Sequence, residues 1–254
     1  KKYSNNKRNI SDLKKFGIIH FIGIGGIGMS GIAELMKELG YKIQGSDIIE
    51  GNNIRRLKKK KIKIFKGHKK SNVCNANVIV YSSAIKSNNP EIIQAIEKRL
   101  PVVSRSEMLG ELMRLKRGIA IAGSHGKTTT TSILSNILVD AKIDPTIVNG
   151  GIINSLSSNS KLGSGEWMVA EADESDGSFL NLPNELNVIT SIDEEHIDFY
   201  GNFETLFKSF RKFATNIPFY GSTIICLENK NSRKLSSIIK EREIITYGIN
   251  KKNA

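Results

Sequence analysis

The feature that most constrains the fold is a short apolar run that leads into a glycine loop and then a helix. Residues 118–123 read GIAIAG, which is typical of a buried parallel strand. The sequence SHGKT at 124–128 follows, and apolar residues then recur at helical spacing from Ile133 to Leu138. A strand, a glycine loop and a helix in this order predict an α/β fold built on a parallel sheet.

The loop itself has the composition of a phosphate-binding loop. Its backbone N–H groups can surround a phosphate, Lys127 can reach the β- and γ-phosphate oxygens, and Thr128 can offer its hydroxyl to Mg²⁺. The loop is shorter than the usual G-x-x-x-x-G-K-[ST], because Ile121 stands five residues before Gly126. A chance Gly-Lys-Thr is the alternative, and the flanking strand and helix argue against it. His125 either contacts a phosphate or only completes the loop. We predict an ATP site formed by Gly123, Ser124, His125, Gly126, Lys127, Thr128 and Thr129.

Two later segments place acids and a histidine after apolar strands. A phosphate-binding loop needs an acid on a neighbouring strand to hold the metal, and WMVAE at 167–171 delivers Glu171. Asp173, Glu174 and Asp176 follow it, either as solvated loop acids or as direct participants. The run from Val188 continues into DEEHID at 193–198, where His196 is a candidate metal ligand, although a lone histidine is more often structural.

Another glycine loop lies near the start of the chain; in chain order it is the first glycine loop, and the Gly-Lys-Thr loop is the second. The apolar run at 17–24 ends in Gly23-Ile24-Gly25-Gly26-Ile27-Gly28, a G-x-G-x-x-G that opens a helix. Asp47 ends the next predicted strand, where a ribose hydroxyl is often bound. Alone, this pattern favours NAD. The alternative is a glycine turn needed only for packing of the helix on the sheet.

The alternation of strands and helices continues through both halves. Before residue 105, strands are predicted at 41–45, 62–65, 77–81 and 101–104, with a helix starting at Pro90. After it, a connecting helix is predicted at 106–117 and strands at 167–170, 187–192, 220–227 and 243–247. We predict two domains: a Rossmann-like parallel-sheet domain at 1–105, and a P-loop ATPase-type α/β central domain at 106–254, incomplete at its C-terminal end.

Charge and cysteine content narrow the class of protein. Of 38 Lys and Arg residues 22 lie before residue 106, against 7 of 25 Asp and Glu residues, and ten of the cations fall between Arg55 and Lys70. Such a stretch either attracts a polyanion or is a lysine-rich solvated surface, and we favour the surface. No apolar run reaches the roughly 18 residues of a membrane span. Cys74 and Cys226 lack metal-ligand spacing, which favours a reducing, cytoplasmic setting.

Ten motifs in order, from His20 onward, resemble the Mur ligases, and within them the members that add L-alanine. The motifs are HFIGIGGIGMSGIAEL (20–35), GSD (45–47), SSAI (82–85), NPEI (89–92), RSEMLGELM (105–113), AGSHGKTTTT (122–131), NGG (149–151), EADESDGSFL (171–180), EHIDFY (195–200) and PFYG (218–221).

The resemblance implies a cytoplasmic step of peptidoglycan synthesis. L-alanine would be joined to the lactyl carboxyl of UDP-N-acetylmuramate, ATP and Mg²⁺ would be required, and neither nucleic acid nor membrane would be a partner. It assigns the first loop to the UDP group in place of NAD, with Lys127, Glu171 and His196 catalytic, and Thr128, Glu171 and His196 on metal. The implied substrate contacts are Gly23, Gly25, Gly26, Ile27, Gly28, Met29, Ser30, Asp47, His68, Ser82 and Ser83.

The sequence departs from the family pattern in places, and rival functions remain. Ser191 stands where the family usually has Asn, and Glu195 where it usually has Asp, so Glu195 is not assigned a role. Family members continue into a third domain, so we expect the 254 residues to bind ligands without turnover. A ligase attaching a recycled tripeptide is the nearest rival, and the serine in Glu174-Ser175-Asp176 favours alanine. An NAD-dependent oxidoreductase or a non-enzymatic nucleotide switch would each leave one glycine loop unused.

Overall fold

A computed structural model describes residues 17–153 and 158–249, with side chains described except at 152, 153 and 158. Its contacts divide the chain into two compact units. The first contains the described residues up to Leu109 together with Gly151–Leu162, and the second contains Gly110–Gly150 with the described residues from Gly163 onward.

The first unit is built on a five-stranded parallel sheet. Its strand order is β3-β2-β1-β4-β5, so the order reverses between β1 and β4. The strands are β1 (Ile18–Ile22), β2 (Lys42–Asp47), β3 (Lys63–Lys66), β4 (Val78–Tyr81) and β5 (Val102–Ser104). The helices are α1 (Ile27–Glu38), α2 (Asn52–Lys59), α3 (Pro90–Glu97) and α4 (Arg105–Met113), with one 3₁₀ turn at Lys70–Val73. Ligands bind in such sheets at the carboxyl ends of the strands, beside the point of reversal.

Helix α3 shows how local sequence fixes an element of this unit. Pro90 occupies its first turn, and the Asn89 side chain accepts a hydrogen bond of 2.8 Å from the backbone N–H of Glu91. Ile92 and Ala95 then pack into a buried cluster on the sheet with Ile22 and Ile79. The helix predicted to start at Pro90 is therefore confirmed.

Helix α2 lies in the basic stretch and was not predicted. Only Ile54 and Leu57 are buried, so its apolar face is two residues wide. Cations of the helix and of the residue that follows it pair with acids of neighbouring segments. Lys58 lies 2.6 Å from Glu50, and Arg56 contacts Glu34. Lys60, just after the helix, lies 2.5 Å from Glu38. Because acids already neutralise these cations, the helix has the character of a solvated protein surface.

The second unit is built on a parallel sheet whose strands follow the order β12-β11-β10-β6-β9-β7. These strands are β6 (Arg117–Ala122), β7 (Thr146–Ile153), β9 (Trp167–Glu171), β10 (Leu186–Ile189), β11 (Ser222–Cys226) and β12 (Glu243–Tyr247). Strand β8 (Ser158–Lys161) belongs to the first unit. The helices are α5 (Lys127–Asp140), α6 (Ile197–Tyr200), α7 (Phe203–Thr215) and α8 (Lys230–Ile238), with a 3₁₀ turn at Ser178–Asn181. The strand and helix around the Gly-Lys-Thr loop are confirmed.

Several elements of this unit were not predicted, and α7 is the clearest case. Its residues Leu206, Phe210 and Phe213 are buried at helical spacing. Phe179 fixes the helix to the 3₁₀ turn, with its ring 5.0 Å from that of Phe213 and 5.4 Å from that of Phe210. Strands β7 and β8 and helix α8 were also missed. In the described ranges, no helix is long and apolar enough to cross a membrane.

Candidate functional site

The Gly-Lys-Thr loop follows β6, which lies between β10 and β9 in the sheet. Gly123 has φ = 138° and Gly126 has φ = 81°, conformations that favour glycine. A Cβ at Gly123 would lie 2.1 Å from the Thr190 hydroxyl, so this position also excludes any side chain. The two glycines turn the chain from the strand into the first turn of α5.

The segment after β10 holds the front of this loop. Ser124 N–H donates to the Ser191 carbonyl at 3.0 Å, and His125 N–H donates to the Ser191 hydroxyl at 3.0 Å. The Thr190 hydroxyl donates to the His125 carbonyl at 2.6 Å, and Asp193 N–H donates to the Ser124 hydroxyl at 2.8 Å. The serine at 191 thus takes part in holding the loop. The N–H groups of Ser124 and His125 are therefore engaged within the protein.

The Lys127 ammonium is folded back over the loop. Its Nζ lies 2.6 Å from the Gly123 carbonyl oxygen and 3.4 Å from that of Ser124. Its third partner is Glu174, whose Oε1 lies 2.7 Å away. The cation therefore sits where a phosphate bound in the loop would be within its reach, and a carboxylate holds it there.

Glu174 is the most buried acid of the site, with 1% of its surface exposed. Burial raises the pKa of its carboxyl group, and the neighbouring Lys127 ammonium opposes that rise. Among the described residues its buried Oε2 has no hydrogen-bond partner, while Oε1 also lies 3.5 Å from His196 Nε2. The Tyr200 hydroxyl donates to the Glu174 carbonyl oxygen, and burial followed by the nearby acids raises the pKa of Tyr200. Residues 174 and 200 thereby form one buried polar cluster behind the loop.

Thr128 and Glu171 are neighbours, as their assignment to one metal requires. The Thr128 hydroxyl donates to Glu171 Oε2 at 3.0 Å, and Gly150 N–H donates to the same oxygen at 2.9 Å. A Cβ at Gly150 would lie 2.7 Å from the carboxylate, so the glycine of β7 permits the close approach. A hydroxyl and a carboxylate oxygen are ligands that Mg²⁺ prefers.

His196 lies with two other potential ligands. It has φ = 57° at the N-terminus of α6, and its ligand atom lies within 4.8 Å of those of Glu174 and Glu195. The structure thus pairs Thr128 with Glu171 and groups His196 with Glu174 and Glu195. A set of two carboxylates and one imidazole suits a divalent cation. His125, with its side chain 66% exposed, lies 3.6 Å from Glu195 and 3.7 Å from Asp193.

Sequence reasoning left Glu174 and Glu195 without roles. Both stand next to residues that the motifs did single out, but spacing alone does not distinguish a buried acid from a solvated one. Glu174 is buried, whereas Asp176, only two residues later, is exposed. The packing of the folded chain, and not the local sequence, determines this difference in burial.

The first glycine loop is held differently. Gly23 N–H and Ile24 N–H both donate to the Ser46 carbonyl, at 2.9 and 3.1 Å. Gly25 N–H donates to Asp47 Oδ2 at 2.8 Å, and the Asn53 amide donates to the Gly25 carbonyl at 2.8 Å. The end of β2 and the start of α2 therefore fix the shape of the loop. No cation occurs in its sequence.

The other residues predicted at this loop lie at the same edge of the sheet. Ile27 is 48% exposed at the first turn of α1, whereas Met29 and Ser30 are buried. The Ser30 N–H donates to the Gly26 carbonyl at 2.8 Å, and its hydroxyl donates to the Ile27 carbonyl at 2.9 Å. Ser82 N–H donates to the Ile22 carbonyl at 3.3 Å, and Ser83 is exposed. His68 follows β3, which is paired with β2.

A shallow groove begins beside Asp47. Its apolar lining comes from Ile48, Ile49, Ile54, Ile64 and Phe65, and Lys58 and Lys66 border it. An acid next to an apolar groove at the end of the second strand is the arrangement with which such sheets hold a ribose and its base.

Sequence comparison identifies two family regions in the chain. Residues 18–117 match the Mur ligase family, catalytic domain, and residues 121–254 match the Mur ligase middle domain. The UDP-N-acetylmuramate–L-alanine ligase of Brucella ovis is 56% identical over 234 residues, which are 92% of this chain and 50% of that protein. The enzyme of the same name from Allorhizobium ampelinum is 54% identical over 237 residues, covering 93% of this chain and 50% of the relative. The chain thus spans about half the length of these relatives.

Solved structures agree with this assignment. UDP-N-acetylmuramate-alanine ligase from Thermotoga maritima superposes with a TM-score of 0.82 at 30% identity, covering 92% of this chain and 53% of that one. A UDP-N-acetylmuramate:L-alanyl-γ-D-glutamyl-meso-diaminopimelate ligase from Neisseria meningitides has a TM-score of 0.83 at 22% identity, covering 91% of this chain and 77% of that one, and supports the fold alone. With the middle-domain match extending over residues 121–254, the chain belongs to the Mur ligase family.

Proposed function

We propose that this chain belongs to an enzyme that joins L-alanine to the lactyl carboxyl of UDP-N-acetylmuramate, with ATP converted to ADP and phosphate. The observation that carries the proposal is the cluster around the second glycine loop, where Lys127 lies 2.7 Å from Glu174 and Thr128 lies 3.0 Å from Glu171. The names of the relatives at 56% and 54% identity support L-alanine and UDP-N-acetylmuramate as the substrates.

In this proposal the second loop, residues 123–129, binds the ATP phosphates. Lys127 exchanges its contact with Glu174 for phosphate oxygens, and the N–H groups at the start of α5 add the positive end of the helix. Thr128 and Glu171 would hold one Mg²⁺, and His196 with Glu174 and Glu195 would supply ligands for a second cation. The metal supplies positive charge against the charge that accumulates on the transferred phosphoryl group.

The first loop would hold the UDP diphosphate on the N-terminus of α1. The N–H groups of Ile27, Gly28 and Met29, in the first turn of α1, would point to the diphosphate. The N–H groups of Gly23 and Gly25 fix the shape of the loop, and its glycines let the ligand approach the backbone closely. Asp47 and the apolar groove beside it fit a ribose and a base. Ser82, Ser83 and His68 are further proposed contacts at the same edge of the sheet.

The chemistry proceeds in two steps. A carboxylate is a poor acyl donor, so the lactyl carboxylate first attacks the γ-phosphorus, and the bond to the β-phosphate oxygen breaks to release ADP. The neutral amine of alanine then attacks the carbonyl of the acyl phosphate and expels phosphate, while one proton leaves the nitrogen. Lys127 stabilises the charge that develops on the transferred phosphoryl group.

We also propose a domain boundary near residue 105, with UDP binding assigned to 1–105 and ATP binding to 106–254. The change between the two family regions falls between residues 117 and 121, and the main change between compact units falls between 109 and 110. Both lie within about one helix of the boundary. The cytoplasmic location inferred from the sequence stays a prediction.

Two alternative functions can be distinguished by the ligands that the protein binds. A ligase for a recycled tripeptide would use the same two loops, so competition between L-alanine and the tripeptide decides between them. An NAD-dependent oxidoreductase would use the first loop and leave Lys127, Thr128 and Glu171 without a role. Nicotinamide fluorescence on addition of the chain tests that alternative directly.

The decisive test is phosphate release from Mg-ATP by a protein that carries this chain at the full length of its relatives. We expect release only with UDP-N-acetylmuramate and L-alanine together, and we expect the 254-residue chain alone to bind without turnover. Release that ignores L-alanine contradicts the proposed substrate. Alanine-dependent release by the 254 residues alone contradicts the expected need for a further domain.

A further inference from the structure

A fully buried carboxylate lies beneath the first glycine loop, and the proposed function gives it no role. Glu91, in the first turn of α3, is 0% exposed. Its Oε2 accepts a hydrogen bond of 2.5 Å from the Ser46 hydroxyl, and its Oε1 accepts one of 2.5 Å from the Asn72 amide. Burial of a carboxylate charge is unfavourable unless the charge is hydrogen-bonded. The Glu91 carboxylate therefore holds its hydrogen-bond donors in place.

The first partner leads directly to the glycine loop. The Ser46 hydroxyl binds Glu91, and the Ser46 carbonyl accepts the N–H groups of Gly23 and Ile24, which begin the G-x-G-x-x-G. The next residue, Asp47, accepts the N–H of Gly25 at 2.8 Å. The position of β2 at this point therefore sets the shape of the loop, and Glu91 fixes that position from below.

The second partner is His68. Its Nδ1 lies 3.0 Å from Glu91 Oε2 and 3.0 Å from the Ser46 hydroxyl. Since the Ser46 hydrogen is directed to Glu91, both neighbours of Nδ1 act as acceptors, and Nδ1 must carry a hydrogen. This leaves Nε2 as the ring nitrogen for a ligand. His68 is thereby held in one tautomer and one orientation.

The surrounding groups support a charged Glu91. Gln44 donates its amide N–H to the Asn72 carbonyl at 3.0 Å and to His20 Nδ1 at 3.2 Å, so the N–H of His20 lies on Nε2, 3.6 Å from Glu91. Burial alone would raise the pKa of Glu91, but the N–H and O–H groups of His20, Ser46 and Asn72 outweigh it and lower the pKa. The first turn of α3 adds the positive end of its dipole.

We propose that Glu91 is a positioning residue of the diphosphate site, which fixes the Gly23–Ile24 turn through Ser46 and holds His68 with Nε2 free for the ligand. The inference rests on the proposed binding of UDP by this unit. It adds to that proposal a residue that does not itself touch the substrate.

The test compares Glu91→Gln with Glu97→Gln, a change at an exposed glutamate of the same helix. UDP binding to the 254-residue chain is measured by calorimetry, and ¹⁵N NMR of the His68 ring reports which nitrogen carries hydrogen. We expect UDP to bind Glu91→Gln about tenfold more weakly and hydrogen to shift away from Nδ1. Glu97→Gln should match wild type in both measurements.

A second variant keeps the inference testable if Glu91→Gln does not fold. Ser46→Ala removes the link between the carboxylate and β2, and we expect UDP affinity to fall about threefold while His68 keeps hydrogen on Nδ1 through Glu91. A wild-type chain that fails to bind UDP contradicts the proposed function. A wild type that binds UDP, with Glu91→Gln binding equally well and an unchanged His68 ring, overturns this inference alone.

Discussion

The two glycine loops of this chain share one local design and differ in charge. Each joins a buried parallel strand to a helix, and each contains glycine with positive φ: Gly23 in the first loop, and Gly123 and Gly126 in the second. The first loop is held by neutral and acidic partners, with Ser46 accepting two N–H groups and Asp47 a third. The second contains a lysine whose ammonium binds the loop carbonyls and the buried Glu174.

This difference indicates what each loop is suited to do. Neutral backbone donors and a helix N-terminus are enough to hold a diphosphate that does not react. A phosphate that is to be transferred needs a mobile cation and metal ligands, because charge develops on it during the reaction. The excess of Lys and Arg before residue 106 does not change this comparison, since three cations at 56–60 pair with Glu34, Glu38 and Glu50.

The largest effect should come from removing the cation of the second loop. We expect Lys127→Ala to weaken Mg-ATP binding by roughly 100-fold, about 3 kcal/mol, because charge-assisted contacts to phosphate are lost. UDP binding should stay unchanged. Calorimetry with both ligands measures this, and Lys208→Ala, at an exposed lysine paired with Glu204, is the control. Equal loss of both ligands would contradict separate roles for the two loops.

The reciprocal change is in the first loop. A Cβ at Gly25 would lie 2.9 Å from Asp47 Oδ2 and 3.0 Å from Ile54 Cδ1, so Gly25→Ala must displace the loop. We expect roughly tenfold weaker UDP binding with Mg-ATP binding retained. Gly51→Ala is the matched control, because nothing lies within 4 Å of its added Cβ. An unchanged UDP affinity in Gly25→Ala would remove this loop from the site.

A smaller effect tests whether the contact with Glu174 restrains the Lys127 ammonium. In Glu174→Gln, Lys127 loses its charged partner, so a phosphate no longer competes with a carboxylate for the ammonium. We expect metal-free ADP to bind roughly threefold more tightly, as measured by titration calorimetry without divalent ions. Glu204→Gln, at an exposed acid, should leave ADP binding unchanged. Weaker binding of metal-free ADP by Glu174→Gln would show that Glu174 does not restrain Lys127.

The smallest effect concerns stability and pH in the first unit. The pKa of Glu91 is lowered on folding, so its contribution to the free energy of unfolding is complete above the ordinary pKa of about 4.3 and is lost as the pH falls below it. Wild type should therefore lose more stability than Glu91→Gln between pH 7 and pH 3, by about 1.4 kcal/mol for each unit of lowering. Urea unfolding at both values checks this. A larger loss in the variant would contradict the sign.

Strong local signals made the central part of both units predictable from sequence. The apolar runs before Gly23 and Gly123 form buried parallel strands, and the residues after them open helices as predicted. Helix α2 was missed because four consecutive lysines hide a two-residue apolar face. Helix α7 was not predicted, although its Leu206, Phe210 and Phe213 follow helical spacing.

The candidate site was only partly predictable for a different reason. Lys127, Thr128 and Glu171 follow from local patterns, because each sits next to a strand end or a glycine. Glu174 and Glu91 take part through contacts between distant segments of the chain. Glu174 contacts Lys127, which precedes it by 47 positions, and Glu91 contacts Ser46, which precedes it by 45 positions. No local pattern carries that information.

The central claim is that the chain has two anion sites with different ligands, one in each unit. The most direct measurement is a calorimetric titration of the 254-residue chain with UDP-N-acetylmuramate and with Mg-ADP, each in the absence and presence of a saturating amount of the other. We predict one site for each ligand, and we expect neither ligand to displace the other. Competition of the two nucleotides for a single site would contradict it.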